Sequence, residues 1–228
     1  MVVLSGASGG IGLKLLNYYA AREETIGTYF LHKPSSCLAG YEMYSVDVRE
    51  FESVTSFVGK IETRVHHLTL INCAGITYSS FAHKSDPMEW RDVIETNLIG
   101  TYNMIRVFLP LMRKEEYGRI VNFSSVTAQK GTLGTSAYAA SKSGLWGLAK
   151  ALCLENASKH ITVNNINLGY CNFGMGVEKV PEDYRSFLKT QIPTGRFCDA
   201  EEIVSTIEYL RNNEYINGSC IDLNGGLF

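Results

Sequence analysis

The chain has almost no excess charge of either sign. Its 21 Lys and Arg residues nearly balance 23 Asp and Glu, leaving a formal net charge of -2 over 228 residues. That balance offers no electrostatic footprint for nucleic acid or an anionic membrane surface. No apolar run approaches the ~20 residues that a bilayer-crossing helix needs, so neither nucleic acid nor membrane is an expected partner. The start of the chain has a short apolar run but no basic n-region and no small-residue cleavage site. It reads as a buried strand entering a glycine loop. The six cysteines (Cys37, Cys73, Cys153, Cys171, Cys198 and Cys220) are scattered, with no CxxC pair and no metal-ligand spacing. No metal site is expected, and reduced thiols at a cytoplasmic address are. Internal repeats, low-complexity tracts and linkers are also missing. With 45% hydrophobic and 19% charged residues, the sequence reads as one domain over residues 1–228.

What is present is alternation. Short β-branched or apolar runs at residues 2–5, 25–30, 42–46, 68–73, 119–123, 162–167 and 219–223 read as strands. Between them, residues 11–21, 51–63, 87–111, 136–158 and 200–212 have helical spacing. This order predicts an α/β fold, a Rossmann-like doubly wound parallel sheet of about seven strands with helices on both faces. Right-handed crossovers then put the loops after each strand along one edge, where ligands bind. The stretch 32–41 is too short, and too rich in Pro, Ser and Gly, for a full crossover helix. The stretch 170–196, broken by Gly174, Gly176, Pro181 and Pro193, reads as a substrate lid.

Ser5-Gly6-Ala7-Ser8-Gly9-Gly10-Ile11-Gly12 lies directly between the first strand and the first helix. A dinucleotide's pyrophosphate needs close backbone approach, free N–H groups and the positive end of a helix dipole. Side chains would obstruct that approach, which gives Gly6, Gly10 and Gly12 a physical role; alone, such a loop is also a tight turn. Further on, Tyr138 and Lys142 stand four residues apart on a helix, about 6 Å along its axis. Hydride transfer to a ketone leaves charge on oxygen, so a positioned acid must supply a proton. A phenol can do so, and a neighbouring ammonium is expected to lower its pKa. Ser124 and Ser125 end a strand at the same edge, but alternation turns their hydroxyls to opposite faces and periodicity does not choose between them. Asn97 falls inside a long helix, where an amide competes for backbone hydrogen bonds. On its own it reads equally as an exposed or capping residue.

Taken in order, these motifs resemble the short-chain dehydrogenase/reductase family. Ser5 to Gly12 is similar to its TGxxxGxG loop, Asn72-Cys73-Ala74-Gly75 to its NNAG, and Tyr138-Ala139-Ala140-Ser141-Lys142 to its YxxxK. Asp47-Val48 matches its adenine-holding pair, and Asn217-Gly218 through Gly226 resembles its final strand. The resemblance implies catalysis by Asn97, Ser125, Tyr138 and Lys142, with Ser125 chosen over Ser124 by its distance from the tyrosine. It implies that Lys142 also holds the nicotinamide ribose, and that Asn97 deforms its helix and holds a water linking the lysine to solvent. Cofactor contacts carried over are Gly6, Ser8, Gly10, Ile11, Gly12, Asp47, Val48, Asn72, Ala74, Gly75, Tyr138, Lys142 and Gly169. Three departures stand out: Leu168-Gly169 replaces the family's Pro-Gly, Phe173 stands where a threonine meets the carboxamide, and Cys73 replaces an asparagine. Cys73 reads as a small apolar filler rather than a redox switch.

The end of the second strand, Tyr29 to Ser36, has no acid to accept from an adenosine ribose. A 2′-phosphate would instead meet His32 or Lys33, so NADP(H) is expected over NAD(H), and reduction over oxidation. Segments IPTGR and the closing NGG are most similar to 3-oxoacyl-acyl-carrier-protein reductases, implying a carrier-bound or small-molecule ketone substrate. Carrier docking would use basic residues; the turn Arg113-Lys114-Glu115-Glu116-Tyr117 dilutes them, leaving Lys130 and Lys159 as candidate contacts. Tyr170, Phe173, Met175 and Tyr184 are candidates for an acyl pocket. Competing readings are a reductase or dehydrogenase of a free small alcohol, sugar or polyketide, and an idle nucleotide-binding sensor or scaffold. A nucleotide-sugar epimerase would need a second domain that this length excludes. The family implies a homotetramer, with a dimer second, packed through helices 87–111 and 136–158; Val107, Phe108, Leu145, Trp146, Leu148 and Leu152 suit either core or interface.

Overall fold

The computed structural model describes residues 1–32, 41–174 and 180–228. The elements run β1 Val2–Ser5, α1 Gly10–Ala20, β2 Thr25–Tyr29, β3 Glu42–Ser45, α2 Phe51–Ile61, β4 Thr69–Asn72 and α3 Pro87–Ile94. After a π-helical turn at Glu95–Ile99 come α4 Gly100–Glu115, β5 Gly118–Ser125, α5 Val126–Lys130, α6 Ser136–Asn156 and β6 Ile161–Leu168. Then follow α7 Glu182–Gln191, α8 Ala200–Arg211 and β7 Cys220–Leu223. The seven strands form one parallel sheet in the order β3-β2-β1-β4-β5-β6-β7. The predicted doubly wound fold is therefore observed. Strand order reverses between β1 and β4, which opens a crevice at their carboxyl ends.

Alternation along the strands divides the core between two faces. Val3, Leu70, Ile120 and Val163 meet Phe57, Met104, Phe108 and Ala149 of α2, α4 and α6. Val2, Leu4, Val121 and Ile166 meet Leu15, Leu16 and Tyr19 of α1 and Ile203, Ile207 and Leu210 of α8. Each such fully buried side chain is worth roughly 1.5–3 kcal/mol of transfer free energy. Phe108, Leu145 and Leu152 lie in this core at 0%, 1% and 7% exposure, so they are not free for an interface. The exposed apolar side chains of these helices are instead Met88, Tyr102 and Leu154, with Ile99 in the π turn.

Sequence periodicity misplaces several boundaries. Strand β5 runs to Ser125, two residues further than its apolar pattern, because Ser124 and Ser125 remain in register with Asn167 and Leu168. The helix expected over 87–111 is interrupted at Glu95–Ile99, then continues through Pro110 to Glu115. The expected lid region contains a helix, α7, begun by Pro181 and by the acids Glu182 and Asp183 in its first turn. Most of the expected 32–41 crossing lies outside the described residues.

A row of polar side chains crosses the sheet one rung nearer its carboxyl edge than the apolar layer. Ser5, Asn72, Asn122, Asn165 and Cys220 are direct neighbours in register. Asn72 Nδ2 donates to Asn122 Oδ1 at 2.8 Å, and Asn122 Nδ2 donates to Asn165 Oδ1 at 3.1 Å. Asn165 Nδ2 donates to the Leu145 carbonyl of α6 at 3.1 Å, tying the row to that helix. Asparagine is a poor strand former, and mutual satisfaction is what makes three of them tolerable here. Replacing Asn122 by Leu strands a donor on Asn72 and an acceptor on Asn165, at about 1–3 kcal/mol each. Urea unfolding of Asn122→Leu should show a lowered midpoint and a loss of roughly 2–4 kcal/mol, with an unchanged m-value.

Candidate active site

The glycine loop sits at the carboxyl end of β1, as its spacing requires. A Cβ on Gly6, whose φ is +65°, would lie 2.6 Å from the Ala74 backbone, and one on Gly12 would lie 2.2 Å from the Gly6 carbonyl oxygen. Neither position accepts a side chain. Gly9 caps α1 without a side-chain hydrogen bond, and the first turn carries no acid, so nothing of the chain's own neutralises that helix end. Gly174 packs against Gly10 across the crevice; a Cβ on Gly174 would come within 2.8 Å of Gly10 Cα. Gly174 was not among the expected contacts, because only the fold brings the post-β6 segment over the loop.

Helix α6 supplies the next group. Ala137, Ser141, Lys142, Leu145, Ala149 and Leu152 are its buried stripe, the i, i+3, i+4 pattern of a helix laid on a sheet. Lys142 is only 6% exposed, and its Nζ donates to the Phe123 carbonyl of β5 at 2.7 Å. The same ammonium lies 5.6 Å from the centre of the Tyr138 ring. The Ser125 hydroxyl lies close enough to Tyr138 to act on its phenol. Ser125 also caps α5, accepting from the Thr127 N–H at 3.1 Å. Ser124 turns the other way: its Oγ donates to the Lys142 carbonyl at 3.0 Å and accepts from Trp146 Nε1 at 2.9 Å. Alternation thus separates the two serines, and only Ser125 faces the tyrosine.

Electrostatics correct one expectation. Desolvation pushes the Tyr138 phenol up to about 12, against a smaller lowering by the Ser125 hydroxyl. Lys142 is pushed down to about 8, again chiefly by desolvation. The expected depression of the tyrosine by the lysine does not occur here. Lys142 is buried and Tyr138 half-buried, and the loss of water disfavours the charged form of each. The phenol therefore holds its proton at neutral pH.

Asn97 lies in the π turn and is fully buried. Its Oδ1 accepts from the Ile76 N–H at 2.8 Å, while its Nδ2 donates to the Ile76 carbonyl at 2.9 Å and to Ser141 Oγ at 3.1 Å. One amide side chain thereby clasps the post-β4 segment to α6, which accounts for its interior place. Gly75 lies between this clasp and the lysine, its virtual Cβ 3.2 Å from Asn97 Oδ1 and 3.7 Å from Lys142 Nζ. Ser141 and Ile76 were not singled out from sequence; Ser141, one residue before Lys142, was legible only as part of the buried stripe.

Other expected contacts are placed less directly. Asp47 is forked by Arg49, whose Nη2 and Nε donate to it at 2.7 and 3.0 Å, and this holds its carboxyl below the usual range. Val48 is buried, and the side chain of Asn72 is turned into the polar row. Ala74 donates its N–H to Ser5 Oγ at 3.3 Å. Ser8 and Ile11 lie at the loop. Gly169 has a packing reason of its own, since a Cβ there would lie 2.8 Å from Asn224 Cα. Phe173 packs against the α1 and α8 face of the core. His32 is exposed just past β2; Lys33 and Met175 lie outside the described residues. Lys159 is misplaced for docking: it precedes β6 at the sheet's amino edge, opposite the site, where its Nζ pairs with Glu116 at 2.6 Å. The turn 113–117 before β5 lies at that same edge.

The family model for short chain dehydrogenases matches residues 1–183. The chain belongs to the short-chain dehydrogenase family. It is 37% identical over 238 residues to an acetoacetyl-CoA reductase of Shinella zoogloeoides, covering 100% of this chain and 98% of the relative. It is 34% identical over 240 residues to nodulation protein G of Azospirillum brasilense, covering 100% and 97%. It is also 32% identical over 237 residues to the 3-oxoacyl-[acyl-carrier-protein] reductase FabG of Escherichia coli (strain K12), again covering 100% and 97%. Short-chain dehydrogenases use a nicotinamide dinucleotide, and the residues present fit one. The cradle at Gly6 and Gly12 excludes side chains, and an uncapped helix end faces it. No helix among the described residues is long and apolar enough to cross a membrane, and no cluster of His, Cys, Asp or Glu among them could hold a metal ion.

The depressed Lys142 has a measurable consequence. Below about pH 8 both folded and unfolded chains carry its proton. Between about 8 and the ordinary 10.5 the unfolded chain keeps a proton that the folded chain has released, so stability rises with pH across that window. Urea unfolding at several pH values should show wild type gaining on the order of 2–3 kcal/mol relative to Lys142→Met through this interval. A parallel pH course for the two proteins would mean that the lysine is not desolvated.

Proposed function

We propose that this protein reduces the 3-keto group of a 3-oxoacyl thioester to a 3-hydroxyacyl thioester, with NADPH as cofactor. The observation that carries the reading is Tyr138 beside Ser125 and Lys142, at the same sheet edge as a glycine loop with no room for side chains. A proton donor must be protonated before the reaction, and a phenol with pKa about 12 is. Reduction is the direction that NADPH as cofactor suits. The thioester is taken from relatives named for acetoacetyl-CoA and 3-oxoacyl-acyl-carrier-protein reduction.

Bound at the glycine loop, the nicotinamide dinucleotide supplies the hydride. Gly6, Ser8, Gly10, Ile11 and Gly12 would hold its pyrophosphate through backbone N–H groups, with Ala74, Gly75 and Gly169 lining the crevice. Asp47 would accept from the adenine amine, kept in place by Arg49. Ser125 and Tyr138 would both donate to the substrate's keto oxygen, and Tyr138 would pass its proton to that oxygen as charge develops there. The charged form of Lys142 would hold the ribose hydroxyls and stabilise the phenolate left behind. Asn97 spends most of its hydrogen bonds on Ile76 and Ser141. Its remaining acceptor capacity is what a relay water would use to return a proton through Lys142.

Support for NADPH lies at the end of β2. Tyr29, Phe30, Leu31 and His32 include no acid, and Arg49 adds a cation over the Phe30 ring at 5.4 Å. Lys130, at the end of α5, remains the basic contact available to a carrier on the site's edge. The apolar side chains left exposed on α3, the π turn and α6, among them Met88, Ile99 and Leu154, support association through those helices into a homotetramer. A cytoplasmic address accompanies this reading.

NADPH consumption should be measured with acetoacetyl thioesters of coenzyme A and of carrier protein, against a panel of small ketones, sugars and quinones. Thioesters should exceed every other substrate in kcat/KM by at least about tenfold, and NADPH should exceed NADH. A small ketone or quinone turned over faster than any thioester, or a large NADH preference, overturns the proposal.

A further inference from the structure

Two cysteines far apart in sequence meet at the carboxyl edge of the sheet. Cys171 lies just past β6 and Cys198 just before α8, and they form an isolated parallel bridge. The Cys198 N–H donates to the Tyr170 carbonyl at 2.9 Å and the Asn172 N–H to the Cys198 carbonyl at 3.2 Å. Residues bridged in this way project their side chains to the same face, with backbones about 4.8 Å apart, inside the Cα range of a disulfide. Their surroundings fix the pair further: the Tyr170 and Phe197 rings pack 5.9 Å apart on one side, and Asn172 Nδ2 donates to Asp199 on the other. Both thiols are free. Cys171 is 5% exposed and Cys198 more so. Cys171 lies three residues past the carboxyl end of β6 and two past Gly169, so the pair sits at the sheet edge that carries the candidate site. Its thiol neighbour and burial hold Cys171 itself well above the usual thiol range, which leaves the first attack to the more exposed Cys198 and the second, resolving attack to Cys171.

We propose that Cys171 and Cys198 are a dithiol–disulfide couple, closed by exchange with a low-molecular-weight disulfide, that staples the base of the segment carrying α7 and slows turnover. In the first step the Cys198 thiolate attacks one sulfur of the small disulfide, forming a mixed disulfide and releasing one small thiolate. In the second, the Cys171 thiolate attacks the Cys198 sulfur, forming the Cys171–Cys198 bond and expelling the second small thiolate. The protein loses two electrons and two protons; the small disulfide gains both as two thiols. The new bond joins the two ends of the chain segment that spans Asn172 to Phe197, and fixes the backbone that leaves the carboxyl end of β6. The crosslink does not rest on the thioester reading; only its effect on turnover does, through the reductase assay.

The test is incubation of the full chain with oxidised glutathione, acid quench, alkylation of remaining thiols, and peptide mapping by mass. The expected result is a peptide pair linking Cys171 to Cys198, lighter by two hydrogens than the sum of its parts and separated by dithiothreitol. NADPH-dependent turnover should fall several-fold in step with it and recover on reduction, and Cys198→Ser should be insensitive to the same treatment. Glutathione adducts without the crosslink overturn the couple. A crosslink formed with unchanged turnover overturns the gating. If no substrate is found, the crosslink and a raised melting temperature of the oxidised chain still decide the couple by themselves.

Discussion

A lysine that has been taken out of water is the constraint around which this site is built. Lys142 reaches into the seam between α6 and β5 with the Phe123 carbonyl as its acceptor, and no carboxylate offsets its charge among the described residues. Burial of that kind costs several kcal/mol for an unpaired ion, and here it appears as a lysine that releases its proton unusually early. Partial burial acts on Tyr138 in the same sense, raising a phenol that is already protonated at neutral pH. Loss of water therefore acts on both partners, and the tyrosine is in the state that a reductase needs at the start of its cycle. The phenolate-stabilising role proposed for the lysine would belong to the moment after proton transfer, when a negative charge exists to meet its own.

The polar layer of the sheet explains how that seam is held. Below it, toward the amino edge, the α6-facing side of the strands is ordinary apolar core. One rung higher stand Asn72, Asn122 and Asn165, and one rung higher again Ser124 and Asn167, both accepting from Trp146 Nε1. Each layer bonds to α6 as well as across the strands, through Leu145 and Trp146. Directional bonds fix the rotation and height of the helix more tightly than apolar packing alone. Tyr138 and Lys142 inherit that positioning. Asn97 does the corresponding work from the other side, joining the π turn to Ile76 and Ser141.

Much of this was legible in the sequence because it rests on local rules. Strand–helix alternation led to the parallel sheet, and the strand–glycine–helix order led to the glycine loop that has no room for side chains at the end of β1. The helical spacing of Tyr138 and Lys142 placed them one turn apart. What was not legible depends on contacts between distant segments. The family resemblance implied a deformed helix at Asn97, where the π turn is found, but no periodicity marks Asn97 as a clasp, since that follows from the Ile76 backbone arriving beside the helix. Alternation said that the two serines diverge but not which one meets Tyr138. Lys159 looked available until the topology put it at the opposite edge. The pKa order of the Tyr–Lys pair reversed because spacing alone says nothing about water. Cys171 and Cys198, ordinary when counted, become neighbours only when β6 and α8 are in place.

The central claim is that Tyr138 gives its proton to the substrate oxygen. The direct measurement is steady-state turnover of Tyr138→Phe with a good ketone substrate and NADPH, beside wild type in normal and heavy water. The account predicts a loss of at least about 10²-fold in kcat for the variant, folding and cofactor affinity retained, and a solvent isotope effect in wild type. A phenylalanine variant that turns over at the wild-type rate would contradict it.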